Sequence, residues 1–565
     1  MGIPYLTKHL LPYADPVVLG VSDSECPSVQ DVVIDGPSLV YQVYLRLLAW
    51  SEPSTDVLAV QPTCHQVSIG VLGYLLQLAK LGVQVHGICF DGALPMSKRE
   101  IRLARLEKSR HRLELFRRTD LRSSGSESCG EASIQSAQLW RSRSVPTRWK
   151  NIPENPFMVS AVYEDLLCRW TKGSIADLHG ELPCHLADFG EHPWADITVM
   201  APGEADAMCA FVSKQTGAAI LTNDSDLLLH DLGPHGSVVF LDSVHMPGAT
   251  WEMVESDIQG LRLCPHSLAG RLGMPSVQRF AYELKKNPHL HLPELIRKSK
   301  DDLGAQSLPN SYHEFLQEYQ HDLGLSSSRT GKFLDPRVSE LFWQYELPET
   351  YCTMDQPHVY LGILNEDHAR RCAWEEGRFY RSLGYSLFNL SRPSSNRFTV
   401  VCEYVRRGGR IVADQITLAG AKTVDSDLDL LRKRLSLARS VFGNGLSPLS
   451  FWALFALSDI YQHTSASSTA PSAASLERFL VRGFMAQRAE WVDHHLLAQI
   501  QAVLYSLRIL RQLLEMTTRD SSTKSLLADL PPLHILARSR HEMVGSFSDQ
   551  DLVHRLVGCM FHTYC

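Results

Sequence analysis

The sequence predicts an α/β fold with a mainly parallel central sheet flanked by helices, followed by a mainly helical C-terminal region. Two observations predict it. Four short apolar runs in the first half each end in acid: VVID (32–35), VQVHGICFD (83–91), ITVMAPGEAD (197–206) and AAILTNDSD (218–226). Each reads as a buried strand. Helical periodicity lies between and after them, over 68–81 and 206–215, and strands alternating with helices build a parallel sheet. Such sheets bind their ligands at the carboxyl ends of the strands, so the four acidic ends are expected to converge on one edge.

The segment 97–118 reads as an amphipathic helix. Its basic residues are Lys98, Arg99, Arg102, Arg105, Lys108, Arg110, Arg112, Arg117 and Arg118, against the acids Glu100, Glu107 and Glu114, a net of six positive charges. Leu103, Leu106, Leu113 and Phe116 recur at helical spacing. A solvated helix face is the plain alternative, above all for 110–118. Residues 119–145, rich in Ser, Gly, Gln and Arg, read as a mobile loop, and HTSASSTAPSAAS (463–475) as a second flexible stretch. From about residue 320 the pattern is helical, as over 367–383 and 492–516, with one hairpin expected at 397–413 around Gly408-Gly409. The chain thus divides into 1–118 and 151–245, two parts of one α/β core around a disordered insertion 119–150, then a helical extension 246–319 and a mainly helical C-terminal domain 320–565.

Hydrophobic residues make up 44% of the 565 residues and charged residues 21%, the balance of a folded chain with ample core. The most apolar stretch, FWALFAL (451–457), is far short of the roughly 20 residues that a membrane span needs, so no membrane contact is expected. Thirteen cysteines without one C-x-x-C pair argue for reduced, intracellular thiols rather than a zinc ribbon or a disulfide framework. A formal charge of −7 leaves any nucleic-acid contact to local basic patches. His289 with His291, and His494 with His495, lack a third ligand at zinc spacing.

Hydrolysis of a phosphodiester by two divalent ions needs several carboxylates on one rigid surface, because the ions sit about 3.5–4 Å apart and require anionic oxygen ligands. Asp35, Asp91, Glu204, Asp206, Asp224 and Asp226 supply such a set, each just after an expected strand. A single acid at a strand end is as readily a helix cap or turn residue. Six on one edge would repel one another without cations, so either metal neutralises them or several carry raised pKa values.

The segments MGI, VVIDGPSLVY, ICFDGALPMSKRE, MAPGEADAMCA and LTNDSDLLL, in that order, resemble the signature segments of the flap endonuclease/XPG-type structure-specific nucleases, which have a PIN-like fold. LPYADPVVL and GPHGSVVFLDSV are more narrowly similar to the Asteroid subfamily. The resemblance implies metal coordination by Asp35, Asp91, Asp206, Asp224 and Asp226, with Glu204 orienting the attacking water and Mg2+ or Mn2+ as the cofactor. It also implies that Gly2 packs beside the site, that Lys98 and Arg105 hold the scissile phosphate, and that Arg99 and Arg102 touch nucleic acid from the same arch helix. The chain departs from the family in two places. No aspartate matches the G-S-D-Y segment, and RLGMPSVQRFAYELKKNP (271–288) stands where a glycine-rich helix-hairpin-helix grips duplex. The second metal site is therefore expected to be weaker and duplex binding to be arranged differently.

Two classes of function follow. One is a metal-dependent, structure-specific nuclease for flap, overhang, single-stranded or branched DNA, placed in DNA repair and in the nucleus, with the cytoplasm as the alternative. The other is a nuclease-derived nucleic-acid-binding regulator or scaffold, RNA-associated or post-transcriptional. RNA stays open as a substrate because none of these motifs reads a 2′-hydroxyl.

Overall fold

The computed structural model describes residues 3–21, 26–51, 61–119, 134–176, 178, 194–247, 257–300, 310–319, 335–352, 356–442, 446–464, 471–486, 490–517, 520–536, 547 and 550–563. Its main sheet has eight strands: β1 (Asp15–Leu19), β2 (Ser28–Val29), β3 (Asp31–Asp35), β4 (Gln84–Phe90), β5 (Thr198–Met200), β6 (Ala219–Thr222), β7 (Ser237–Phe240) and β8 (Ile258–Leu263). Their spatial order is β2-β1-β8-β7-β6-β3-β4-β5. β3 pairs parallel with β4 and with β6, and the β4–β5 and β6–β7 pairs continue the parallel run. β8 runs antiparallel to both β7 and β1. The sheet is mainly parallel, as the sequence predicts. The chain leaves β3 for β4 and β5, then returns to β6 on the other side of β3. The crevice of an open α/β sheet forms at such a reversal, here at the carboxyl ends of β3 and β6.

Helices cover both faces, which is why β6 and β7 are buried at every residue and read as continuous apolar runs. Alternation along β3 sends Val32 and Ile34 to one face, where the helices Gly36–Ala49 and Cys64–Lys80 bring Leu39, Val43 and Leu75. Val33 points to the other, against Cys209 of the helix Ala205–Thr216 and Phe280 of the helix Val277–Lys286. At Gly36 a Cβ would lie 2.7 Å from the Phe90 ring, so the turn out of β3 is made by the residue that tolerates this approach.

Some elements differ from expectation. β8 lies inside the stretch expected to be a helical extension (246–319). Its six residues, IQGLRL with Gly260 in the middle, carry too weak an alternation to stand out. Residues 134–150, expected to be part of a disordered insertion, are folded. The helix Ser136–Trp140 and the turn Thr147–Trp149 bury Ala137, Leu139, Trp140 and Trp149, and Trp140 stacks on Tyr74 at 4.3 Å. A polar average hid these few well-placed anchors; residues 120–133 lie outside the described set. The helix expected over 367–383 starts only at Arg378, after Gly377 at φ 76°. Upstream, buried Glu366 accepts from the Ala373 N–H at 2.5 Å and pairs with Arg406 at 2.7 Å, which folds this stretch into a loop.

The C-terminal region carries a second sheet, β11-β10-β9, built from β9 (His358–Tyr360), β10 (Val400–Arg407) and β11 (Arg410–Thr417). β10 and β11 form the expected hairpin, with Gly408 at φ 58° in its turn. Around it lie the helices Pro336–Glu346, Arg378–Leu390, Ala421–Phe442, Pro448–Thr464 and Trp491–Glu515. Val338, Leu341, Val359, Tyr385 and Tyr505 belong to the same apolar core as Val32 and Leu39, so this region is built onto the α/β core. A separate core around Leu431, Trp452, Phe479 and Leu507 joins the outer helices. Among the described residues no helix is long and apolar enough to cross a membrane.

Candidate active site

At the reversal beside β3 and β6 the chain forms an open cleft of about 270 Å³ lined by Asp35, Asp91, Glu204, Asp206, Asp224 and Asp226. The fold thus brings together all six acids singled out in the sequence. Asp35 ends β3 and caps the helix Gly36–Ala49, accepting from the Ser38 N–H at 3.3 Å, the Ser38 hydroxyl at 2.5 Å and the Thr222 hydroxyl at 2.6 Å. Asp91 follows β4 and accepts from the Ala205 N–H at 2.8 Å, which ties it to the helix that carries Asp206. Asp224 and Asp226 follow β6; Asp224 accepts from the Asp226 N–H at 3.0 Å, and Asp226 from the Ile3 N–H at 3.1 Å. The cap reading of a strand-end acid therefore holds for Asp35 and Asp224 without excluding a site, because each carboxylate also faces the cleft.

Like charges in a desolvated cleft penalise ionisation. Burial is the main cause at Asp35, whose pKa is raised to about 6 with Asp91 adding to it and the Ser38 and Thr222 hydrogen bonds opposing it. Burial followed by the Asp224 charge brings Asp226 to about 6 as well. Asp206 is pushed well above the usual carboxylate range by burial and by Asp35, Asp224, Asp91 and Glu204 together. Asp91 is raised by burial, partly offset by the Ala205 N–H.

The facing wall is the basic helix Arg99–Thr119 and the turn Met96–Lys98 before it. Lys98 pairs with Glu204 at 2.5 Å. Burial works against its ammonium, but Glu204, Asp206 and Asp226 outweigh this and raise its pKa. Arg102 and Arg105 also line the cleft. Arg99 turns away from it, hydrogen-bonded to the Tyr404 hydroxyl and lying 5.5 Å from that ring. Arg102 is paired with buried Glu340 and packed 4.3 Å over Tyr360. Two of the three arginines expected to meet nucleic acid, Arg99 and Arg102, are thus held by the C-terminal region. Gly2, expected beside the site, lies outside the described residues; its neighbour Ile3 reaches Asp226.

Sequence reasoning missed Tyr41, 40% exposed where its helix meets the cleft, and the hydroxyls of Ser38 and Thr222. Thr222 directly precedes the acid segment and Ser38 lies within VVIDGPSLVY, so a signal existed for both. None existed for Glu340, Tyr360 or Tyr404, which come from more than 200 residues downstream of the helix they hold.

Among the described residues no group of three or more His, Cys, Asp or Glu side chains is gathered to hold one ion. The cleft nevertheless offers six carboxylates, of which Asp35, Asp91, Asp206 and Asp226 carry raised pKa values. That chemistry fits a hard divalent cation which keeps several waters and takes one or two carboxylates plus substrate phosphate, rather than an ion caged by protein alone.

Residues 154–418 match the family described as XPG domain containing, a stretch that runs from just after the insertion, through the acids of β5 and β6, to the end of β11. The matched stretch is just under half of the 565 residues. It is also similar to Asteroid homolog 1 of Schizosaccharomyces pombe, with 25% identity over 422 residues, covering 73% of this chain and 65% of that protein. The chain thus spans just under two thirds of the relative that it matches. It resembles Asteroid-type, XPG-like proteins, and the matched stretch includes the second sheet and four of the six acids of the cleft, Glu204, Asp206, Asp224 and Asp226.

Proposed function

We propose that the protein is a divalent-metal-dependent phosphodiesterase that cuts single-stranded, flap, overhang or branched DNA. The observation that supports this reading is the cleft itself, where six carboxylates from four separate strand ends face Lys98 and Arg105. A protein that only bound phosphate would gain nothing from lining the contact with acids. Asp35, Asp91, Asp206, Asp224 and Asp226 would hold the cation, with Mg2+ or Mn2+ as the fitting ions. When bound, the ion supplies charge neutralisation and a more acidic water.

The chain's own groups do the rest. An incoming phosphate competes for Lys98 and so releases Glu204, paired with it at 2.5 Å, to orient water and accept its proton. The water oxygen bonds to phosphorus, the bond from phosphorus to the 3′ oxygen breaks, and the products are a 5′ phosphate and a 3′ hydroxyl. Lys98 and Arg105 offset the charge that builds on the equatorial oxygens. Nuclear DNA repair is the setting we assign.

A second reading, a nuclease-derived binder, is favoured by Arg99 and Arg102 being engaged internally and by the missing last aspartate. End-labelled single-stranded, flap, overhang and duplex DNA and a matched RNA, with Mg2+, Mn2+ or EDTA, separate the two. Metal-dependent products that fall by on the order of 10³-fold or more in Asp91→Ala/Asp224→Ala are expected. Saturating Mg2+, at about 100 times its dissociation constant, should also stabilise the wild type by about 2.7 kcal/mol and leave the double variant unmoved. Binding without products, and no Mg2+ effect on melting, would establish the second reading.

A further inference from the structure

Much of the basic charge on the helix Arg99–Thr119 is cancelled where it stands. Arg110 pairs with Glu107 and Glu114, Arg117 with Asp367 and Arg118 with Glu114. Against that background Arg105, Lys108, Arg141, Arg143, Arg148 and Lys150, which lie near one another in the chain or along one helix face, make no ion pair among the described residues. All but Arg141 are exposed. The last four lie in 134–153, a stretch of twenty residues without one Asp or Glu in a chain of net charge −7.

Contacts along the helices Arg99–Thr119 and Gly36–Ala49 lead from one group of these cations to the other. Arg105 lines the cleft, and Lys108 and Arg112 follow it at the i+3 and i+7 positions of one helix face. Arg112 meets Glu154 at 2.7 Å, four residues from Lys150, which an extended chain places within about 14 Å. From there the contacts run back along the helix Gly36–Ala49. Pro153 is held by the Tyr44 hydroxyl at 3.4 Å, and Arg143 lies 4.7 Å over the ring of Trp50 at the far end of that helix. The near end is capped by Asp35 in the cleft. Fourteen residues span about 21 Å, or about six phosphates at 3.4 Å each.

The cations are also held in place without being neutralised. Arg143 and Arg148 rest on indole faces, the latter at 4.0 Å over Trp149, which positions a guanidinium while leaving its charge and donors free. Trp140, Trp149 and Ile152, buried in the main core, anchor the segment. A merely soluble surface loop needs neither.

We propose that Arg141, Arg143, Arg148 and Lys150, continued by Lys108 and Arg105, form a track that binds the backbone of the single-stranded DNA leading away from the cleft. This rests on the cleft being where the scissile phosphate sits, but its test needs no cleavage. In an Asp91→Ala/Asp224→Ala background with EDTA, the affinity for a 30-nucleotide single strand is measured by anisotropy across salt concentrations. Arg143→Gln/Arg148→Gln/Lys150→Gln should flatten the slope of log affinity against log salt by about 2, three phosphate contacts at about 0.7 each. Lys286→Gln/Arg297→Gln/Lys300→Gln, an equal charge change on the opposite face of the sheet, should leave it unchanged. Equal flattening by both triple variants, or none by the first, would overturn the track. A matched RNA strand should respond as DNA does, since the track reads phosphate alone, and a loss confined to RNA would overturn the DNA assignment. Circular dichroism melting of the first variant, expected to match the parent, separates lost contacts from lost folding.

Discussion

The two walls of the cleft are built in opposite ways. The acid wall is local: each carboxylate sits at the end of its own strand, and its partners are the next turn of backbone or a neighbouring strand end, as with Ser38 and Thr222 on Asp35. The basic wall is remote, since the helix Arg99–Thr119 is held by Glu340, Tyr360, Tyr404, the Ile411 N–H on Glu107 at 2.7 Å and Asp367 on Arg117 at 2.6 Å. The acid wall stores repulsion that the sheet holds in place. The basic wall spends most of its charge on being positioned, which leaves Lys98 and Arg105 to face a substrate. The cleft can therefore be lost in two ways, by removing acids or by releasing the helix opposite them.

Arg102→Ala is the strongest test of remote support. It takes from Glu340, 5% exposed, its ion-pair partner and leaves only the longer-range attraction of Arg337, and should cost about 3–5 kcal/mol in denaturant unfolding. Adding Glu340→Gln should recover part of that loss, with a coupling of about 0.5–3 kcal/mol. Additive effects would mean that the ion pair does not hold the wall.

Asp206→Asn probes the opposite wall and has the opposite sign. Because the folded-state pKa values of Asp35 and Asp226 are raised from 3.8 to about 6, the folded state binds more protons than the unfolded one between these values. Stability is therefore fully present below about pH 4 and falls as pH rises to about 6, by about 2–3 kcal/mol for each such group. Asp206, pushed higher still by the same neighbours, adds to this loss. Removing its charge should stabilise the protein by about 1–3 kcal/mol at pH 7.5 without Mg2+ and have little effect at pH 4, while cleavage is lost. Equal melting shifts at both pH values would refute repulsion as the cause.

The smallest effect is expected from Tyr404→Phe. It removes the hydroxyl that meets Arg99 but keeps the ring beneath the guanidinium, and should cost about 0.5–1.5 kcal/mol. A change in cleavage larger than the change in stability would mean that Arg99 position matters to chemistry.

The mainly parallel sheet was legible because β3, β4, β5 and β6 are short apolar runs bounded by acids, and burial on both faces demands such runs. β2 and β8 were not, since a two-residue edge strand and a strand with glycine in its middle carry almost no periodicity. Trp140 and Trp149 were lost in a polar average although single large side chains suffice to anchor a segment. The hairpin at Gly408 was legible because its turn chemistry is local, whereas the start of the helix at Arg378 was displaced by a buried carboxylate, Glu366, whose partner Arg406 lies 40 residues on.

By itself the sequence determined the acids, their placement at strand ends and their convergence, because a parallel α/β sheet puts all its carboxyl ends on one edge and each acid needs only its own strand to arrive there. Only the tertiary structure decided which cations face them. Whether an arginine is free or held depends on a buried glutamate or a tyrosine ring from a distant element, and desolvation, which makes such a pairing strong, exists only once those elements have packed.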